Sequence, residues 1–198
     1  MDDSAWTLVD SVVEYETGWY TGGYDLLEQP DGTRKKYYWA ELPPAVVVVA
    51  RDGDELVFIE QYRPAIRRAC LELVAGIVEE VDDGAPERGS GDDTRPAPDR
   101  ERYVDAAARE LEEETGYRAA ELTFLADFWC STGVLRHRRG LVYAEGLTES
   151  EAGRALDTNE FIEVVRCPIE EAFERALDAP ANDATLEGLL FAEHKGCF

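Results

Sequence analysis

Hydrophobic and polar positions change their period several times along the chain, and each change marks an element. Over residues 7–40 aromatics alternate with turn signals, Thr21-Gly22-Gly23 and Pro30-Asp31-Gly32 among them, which predicts an N-terminal section of short strands. Pro43-Pro44 introduces Ala45-Val46-Val47-Val48-Val49-Ala50, a β-branched run suited to a strand buried on both faces. Asp52-Gly53-Asp54 reads as a hairpin turn, with Glu55 to Arg63 as the return strand. Leu71 to Val78 is another short strand, interrupted by Gly76. From Glu79 to about Arg100 the chain is rich in Asp, Gly, Pro, Arg and Ser and has no apolar period, so it predicts a mobile surface loop. A helix is expected over 101–115, with Val104, Ala107, Ala108, Leu111 and Thr115 on its core face and Gly116 as a left-handed cap. Further strands are expected near 120–129, 139–144 and 161–167. Pro168 opens a helix in its first turn, and another helix covers about 183–193. Strands and helices interleave without regular βα alternation, so the pattern predicts a mixed-sheet α/β sandwich rather than a doubly wound sheet.

Composition narrows what such a domain can do. The chain has 198 residues, enough for one domain with an appendage and a proper core. Its formal net charge of −23 argues against nonspecific binding to nucleic acid or to an anionic membrane, both of which need positive fields. Lysine occurs only at 35, 36 and 195, and the other basic residues are arginines. This acidic, lysine-poor balance predicts adaptation to a high-salt interior, where screening makes self-repulsion tolerable. The cysteines at 70, 130, 167 and 197 form no CxxC pair, so free thiols in a reducing compartment are expected. Met1-Asp2-Asp3-Ser4 lacks the basic and apolar regions of a signal peptide, and the longest apolar run is too short to span a bilayer. A soluble cytoplasmic protein is the expectation.

The chemistry concentrates in Ala107-Ala108-Arg109-Glu110-Leu111-Glu112-Glu113-Glu114-Thr115-Gly116-Tyr117. At ~100° per residue, Glu110, Glu113 and Glu114 share an arc of roughly 100° on the helix. Like charges at i,i+3 and i,i+4 destabilise a helix, so the crowding calls for a compensating cation. A hard divalent ion with oxygen ligands is one answer; a solvated acidic face is the other.

Together, Glu101, seven residues, and Arg109-Glu110-Leu111-Glu112-Glu113-Glu114-Thr115-Gly116-Tyr117 resemble the second half of the Nudix hydrolase box. The opening glycine of that box is best placed at Gly76, within Leu73-Val74-Ala75-Gly76-Ile77-Val78. Here 19 residues more than the family spacing separate it from Glu101, and the excess falls in the polar stretch, where a longer loop costs little. Glu79, Glu80 or Asp82 could therefore stand in for Glu101. Within the family, the chain most resembles the ADP-ribose pyrophosphatases. Glu60-Gln61-Tyr62-Arg63, Glu72-Leu73-Val74-Ala75-Gly76, Ser131-Thr132-Gly133 and Asn159-Glu160-Phe161-Ile162-Glu163-Val164 carry this likeness, and so does Trp19 in the N-terminal strands.

The resemblance implies a Nudix-like mixed-sheet α/β/α sandwich over residues 43–198, with a flexible insertion at about 82–100. Residues 1–42 would be an antiparallel β section that pairs two subunits into a homodimer. It implies Mg²⁺, with Mn²⁺ as a substitute, held by Glu110, Glu113, Glu114 and the main-chain carbonyl of Ala75. Arg109 would orient a box glutamate, and Gly76 would let the backbone come close to the ions. Glu114 and Glu113 would take part in catalysis, with Glu160 as the general base and Asp157 or Glu163 as neighbours able to replace it. Substrate binding would fall to Arg63, Glu72, Arg67 and Trp19, with Arg68 and Tyr20 as companions. The expected reaction is Mg²⁺-dependent hydrolysis of a nucleoside diphosphate derivative, foremost ADP-ribose to AMP and ribose 5-phosphate. Other nucleotide sugars or dinucleotides are rival substrates. Isopentenyl diphosphate isomerisation would need Cys130 as its cysteine, and a nucleotide-sensing module would carry a broken box. The basic run Arg136-His137-Arg138-Arg139 could meet a terminal phosphate or pair with local acids.

Overall fold

The computed structural model describes residues 5–79, 97–156 and 161–198. Most of the expected loop, and with it the insertion, lies outside the described residues, as do Asp157 and Glu160. The chain divides into two compact units: residues 1–44, 79–97 and 128–138 in one, the remainder in the other.

In the first unit the aromatic-rich N-terminal pattern makes three consecutive antiparallel strands, β1 (Thr7–Glu16), β2 (Thr21–Glu28) and β3 (Arg34–Glu41). They are longer than the short strands expected. A two-residue strand, Leu135–Arg136, adds in parallel to β3 through Ala40↔Leu135. Asp25 ties this sheet together. Its carboxylate accepts from Ser11 Oγ at 2.8 Å, Trp39 Nε1 at 2.9 Å and Arg136 Nη2 at 2.5 Å. Arg136 also lies over the Trp39 ring at 4.0 Å, a cation–π contact.

The second unit is built on a six-stranded sheet, with β4 (Ala45–Asp52), β5 (Glu55–Arg63), β6 (Arg68–Ile77), β7 (Tyr117–Trp129), β9 (Arg138–Glu149) and β10 (Ile162–Pro168); Leu135–Arg136 is β8. Its order is β10-β5-β6-β4-β9-β7. The sheet is mixed because β4 runs antiparallel to β6 and parallel to β9. The register Asp52↔Glu55 confirms the tight hairpin expected around Gly53.

Alternation along β4 assigns the two faces. Val46, Val48 and Ala50 join Val57, Ile59 and Val74 in one core cluster with Tyr103, Ala106, Ala107 and Leu111 of α1 (Arg100–Thr115). Val47 and Val49 point the other way, to α3 (Asp183–His194), where a Cβ on Gly188 would stand 3.5 and 3.4 Å from them. The intervening helix α2 (Ile169–Leu177) packs on α3. A valine run buried on both faces therefore places one helix on each side, the α/β/α sandwich expected. Among the described residues no helix is long and apolar enough to cross a membrane.

Helix α1 departs from its expected core face. Gly116 closes the helix at φ 77°, as expected, and it starts one residue earlier than expected, at Arg100, with Asp99 as N-cap accepting from Arg102 N–H. Val104 and Ala108, however, are only half-buried, while Tyr103 is fully buried and Glu110 and Glu114 are buried too. The carboxylates are thus part of the inward face rather than beside it. Tyr103 fits because Gly140 leaves room for its ring; a Cβ there would stand 2.3 Å from Cδ1. The spacing 103, 107, 111 was the available signal for it.

Candidate active site

Strand β6 and helix α1 meet where the chain has Gly76. A Cβ built on this residue would lie 1.8 Å from Glu110 Cδ and 1.9 Å from its Oε1, distances no real Cβ tolerates. Only a glycine lets the Glu110 carboxylate rest against the strand backbone. One turn along, Glu114 accepts a hydrogen bond from the Ala75 N–H at 3.3 Å and is 3% exposed. Ala75 thus meets the helix through its amide, while its carbonyl was the group expected at the ion.

Arg109 organises the carboxylates. Its Nη2 donates to Glu110 Oε1 at 2.7 Å and to the Ile77 carbonyl at 2.8 Å, and its Nη1 donates to Glu113 at 2.8 Å. Burial disfavours the charged guanidinium, but the attraction of Glu110 and Glu113 outweighs it and raises the Arg109 pKa above its ordinary value. One cation shared in this way makes two neighbouring carboxylates tolerable on a buried helix face. Glu113 is the more exposed of the two.

A second ion pair stands close by on the β5–β6 hairpin. Arg63 Nε donates to both Glu72 oxygens, at 3.1 and 2.9 Å, and Nη2 donates to Oε2 at 2.5 Å. Burial opposes the charge on Arg63, yet Glu72, with a further pull from Glu114, raises its pKa overall. Glu72, the Ala75 amide that Glu114 accepts from, and Gly76 against Glu110 all lie on β6. This brings Arg63, Glu72, Arg109, Glu110, Glu113 and Glu114 to one stretch of strand as a polar cluster.

Arg67, another residue expected at the site, lies in the exposed turn after β5 at φ 57°. Trp19 is 71% exposed at the β1–β2 turn. Glu160 is outside the described residues. The basic run pairs locally: Arg136 with Asp25, Arg138 over the Trp129 ring, Arg139 with Glu187, and His137 Nδ1 with the Pro43 carbonyl. All four cysteines are free thiols, and Cys130 is buried. What the sequence reading missed is the role of Glu112, which turns away from the cluster to Arg118 and Ser150. Ser150 lies 38 residues further along, and no local pattern links the two.

The chemistry of the donor set fits a hard divalent cation. Every candidate ligand is an oxygen, and a small hard ion bound through one or two carboxylates keeps several waters, so a partial set of protein ligands is enough. Among the described residues no three acidic, His or Cys side chains already converge as a metal cage. The carboxylates are instead held by arginine.

An α/β/α sandwich whose glutamate-bearing helix rests on a strand glycine is a Nudix-type architecture. Comparison with known families agrees: the NUDIX domain matches residues 41–189. The ADP-ribose pyrophosphatase of Bacillus subtilis (strain 168) is 32% identical over 159 residues, 80% of this chain and 76% of that protein. The methanol dehydrogenase activator of Bacillus methanolicus is 31% identical over 151 residues, 76% of this chain and 71% of that protein. A solved structure of an ADP compounds hydrolase shares the fold at a TM-score of 0.76 and 23% identity, covering 97% of this chain and 95% of that one. The chain belongs to the Nudix family and is a hydrolase of that class.

Proposed function

We propose that this protein hydrolyses the diphosphate linkage of a nucleoside diphosphate derivative, with ADP-ribose as the foremost substrate and AMP and ribose 5-phosphate as products. The observation that carries this reading is the Glu110 carboxylate held against Gly76, with Glu114 one turn on at the Ala75 amide. Similarity alone does not choose between the names of the two relatives, which match almost equally. The intact Arg109, Glu110, Glu113 and Glu114 favour hydrolysis over a sensing role or one confined to protein activation.

Mg²⁺, when bound, would neutralise diphosphate oxygens and lower the pKa of a bound water. Glu110 and Glu114 offer the oxygens to hold it, and Glu113 stands at the rim. Arg109 holds the Glu110 and Glu113 side chains near the strand, and would release oxygens to the ion as it binds. Arg63 offers a planar donor fork to a phosphate, and Glu72 either holds that fork or accepts from a ribose hydroxyl. Glu160 is our candidate to take the proton from the attacking water as the P–O bond to the leaving phosphate breaks. The same reading has residues 1–42 pairing two subunits, residues 43–198 as the hydrolase domain, and a salty cytoplasm as the setting for a charge of −23.

The test is AMP release from a panel of ADP-ribose, sugar nucleotides, dinucleotides and NADH, with Mg²⁺ and high salt. Turnover that collapses in Glu114→Gln is expected. No turnover of any diphosphate, or near wild-type rates in that variant, overturns the reading.

A further inference from the structure

The last turn of α1 gathers Glu112, Glu113 and Glu114 at the negative end of the helix dipole and has no basic residue of its own. Residues 150–156, which run from β9 towards β10, attach to this end. Ser150 N–H donates to the Gly116 carbonyl at 2.7 Å and Ala155 N–H to the Glu113 carbonyl at 3.0 Å. Carbonyls at a helix end have no partner within the helix, so these two donors cap it from outside. Ser150 Oγ donates to Glu112 Oε1 at 2.5 Å, and Arg118 Nη2 reaches the same oxygen at 2.7 Å. Arg154 lies along the cap, where a Cβ on Gly116 would be 3.2 Å from its Cγ. Its Nη2 donates to the Ile162 carbonyl, at the start of β10.

We propose that Ser150, Arg154 and Glu112 are positioning residues, a strap that fixes the last turn of the box helix against β10 and so sets where Glu113 and Glu114 stand. This rests on the reading of those glutamates as ion-binding groups. Glu112 is the one carboxylate of the run for which diphosphate chemistry has no use, and the strap gives it one. Glu114 has to keep its place on the helix and its contact with the Ala75 amide together. A shift of about 1 Å in a reacting constellation is enough to lose two orders of magnitude in rate.

The experiment uses the full chain with Ser150→Ala, Ser150→Thr, Arg154→Gln and Glu114→Gln. Arg34→Gln, which breaks the exposed pair with Glu28, serves as the control. Binding of Mn²⁺ without substrate is read by the loss of its free-ion paramagnetic resonance signal, alongside kcat, KM and thermal melting. Ser150→Ala and Arg154→Gln are expected to weaken Mn²⁺ binding about tenfold and to lower kcat by a similar factor with KM little changed. Ser150→Thr should keep wild-type values, as should Arg34→Gln. Wild-type Mn²⁺ affinity and kcat in Ser150→Ala, with both lost in Glu114→Gln, would overturn the strap and leave the site intact. Unchanged Mn²⁺ affinity in Glu114→Gln would remove the site itself. Should Arg154→Gln not fold, the serine pair decides alone.

Discussion

Replacing Gly76 with alanine puts the contact between strand and helix to the sharpest test. The new Cβ would meet the Glu110 carboxylate at 1.8–2.3 Å. An ordinary carbon contact needs about 3.5 Å, so the carboxylate has to retreat by roughly 1.5 Å. Gly76 sits in ordinary strand backbone opposite Val46, and there alanine alone would be worth about 0.5–1 kcal/mol in stability. Against that gain stands the loss of the 2.7 Å contact from Arg109 to Glu110, about 1.5–3 kcal/mol for a hydrogen bond between charged groups. The net expectation is a destabilisation of about 1–2 kcal/mol, or a fall in Tm of roughly 2–8 °C for a chain of this size. Activity should suffer far more, by about a hundredfold in kcat/KM, since a displaced ligand misplaces the reacting groups. Thermal melting and AMP release from ADP-ribose read the two effects separately. Adding Glu110→Ala should relieve the clash but recover neither turnover nor the stability lost with the Arg109 contact, because it removes the ligand and that contact together. Wild-type turnover in Gly76→Ala would refute the reasoning.

Three further outcomes are expected. Arg63→Gln leaves a nearly buried Glu72 carboxylate without its fork, at a cost of about 1–3 kcal/mol in denaturant unfolding, and it should raise KM more than it lowers kcat. Burial holds the thiols of Cys70, Cys167 and Cys197 above the ordinary cysteine pKa; at mildly alkaline pH, Ellman's reagent should therefore label partly exposed Cys197 first and slowly, and the three buried cysteines only on unfolding. Transfer to low salt should lower Tm by removing the screening of a −23 charge, and a Tm independent of salt would refute the halophilic reading.

The elements that could be foreseen are those whose signal is local. The valine run of β4, the turn at Gly53, the Gly116 end of α1 and the opening of α2 at Pro168 each depend on residues within a few positions of one another. The parallel partner of β4 could not be read this way. Val46 meets Gly140 across nearly half the chain, and only the sheet order reveals it. Tyr103 differs: the spacing 103, 107, 111 marks its face locally, but the room for its ring comes from the absent side chain at Gly140. The basic run at 136–139 looked like one feature, yet β8 and β9 send Arg136 to Asp25 and Arg139 to Glu187. Proximity in sequence gave the charges, and the strands separated them.

The box glutamates show how far a motif reaches towards mechanism. Helical spacing placed Glu110, Glu113 and Glu114 together but left them on a face beside the core. Folded, Glu110 and Glu114 are buried, at 9% and 3% exposure, against the backbone of Ala75 and Gly76. Burying like charges one turn apart is costly unless positive charge follows them in. The chain supplies some of that charge from Arg109, which also serves Glu113, and some from the field of Arg63, which is committed to Glu72. Among the described residues, these ion pairs set two arginines beside four carboxylates. A fold optimised for stability alone would have no reason to gather Glu110, Glu113 and Glu114 on one helix face. A site that recruits a divalent cation, and through it a diphosphate, does. Neutralising the cluster from within, by Glu114→Gln, should therefore raise Tm in the absence of metal while abolishing turnover. A variant that melts lower than wild type without metal would show that the carboxylate serves the fold rather than the ion.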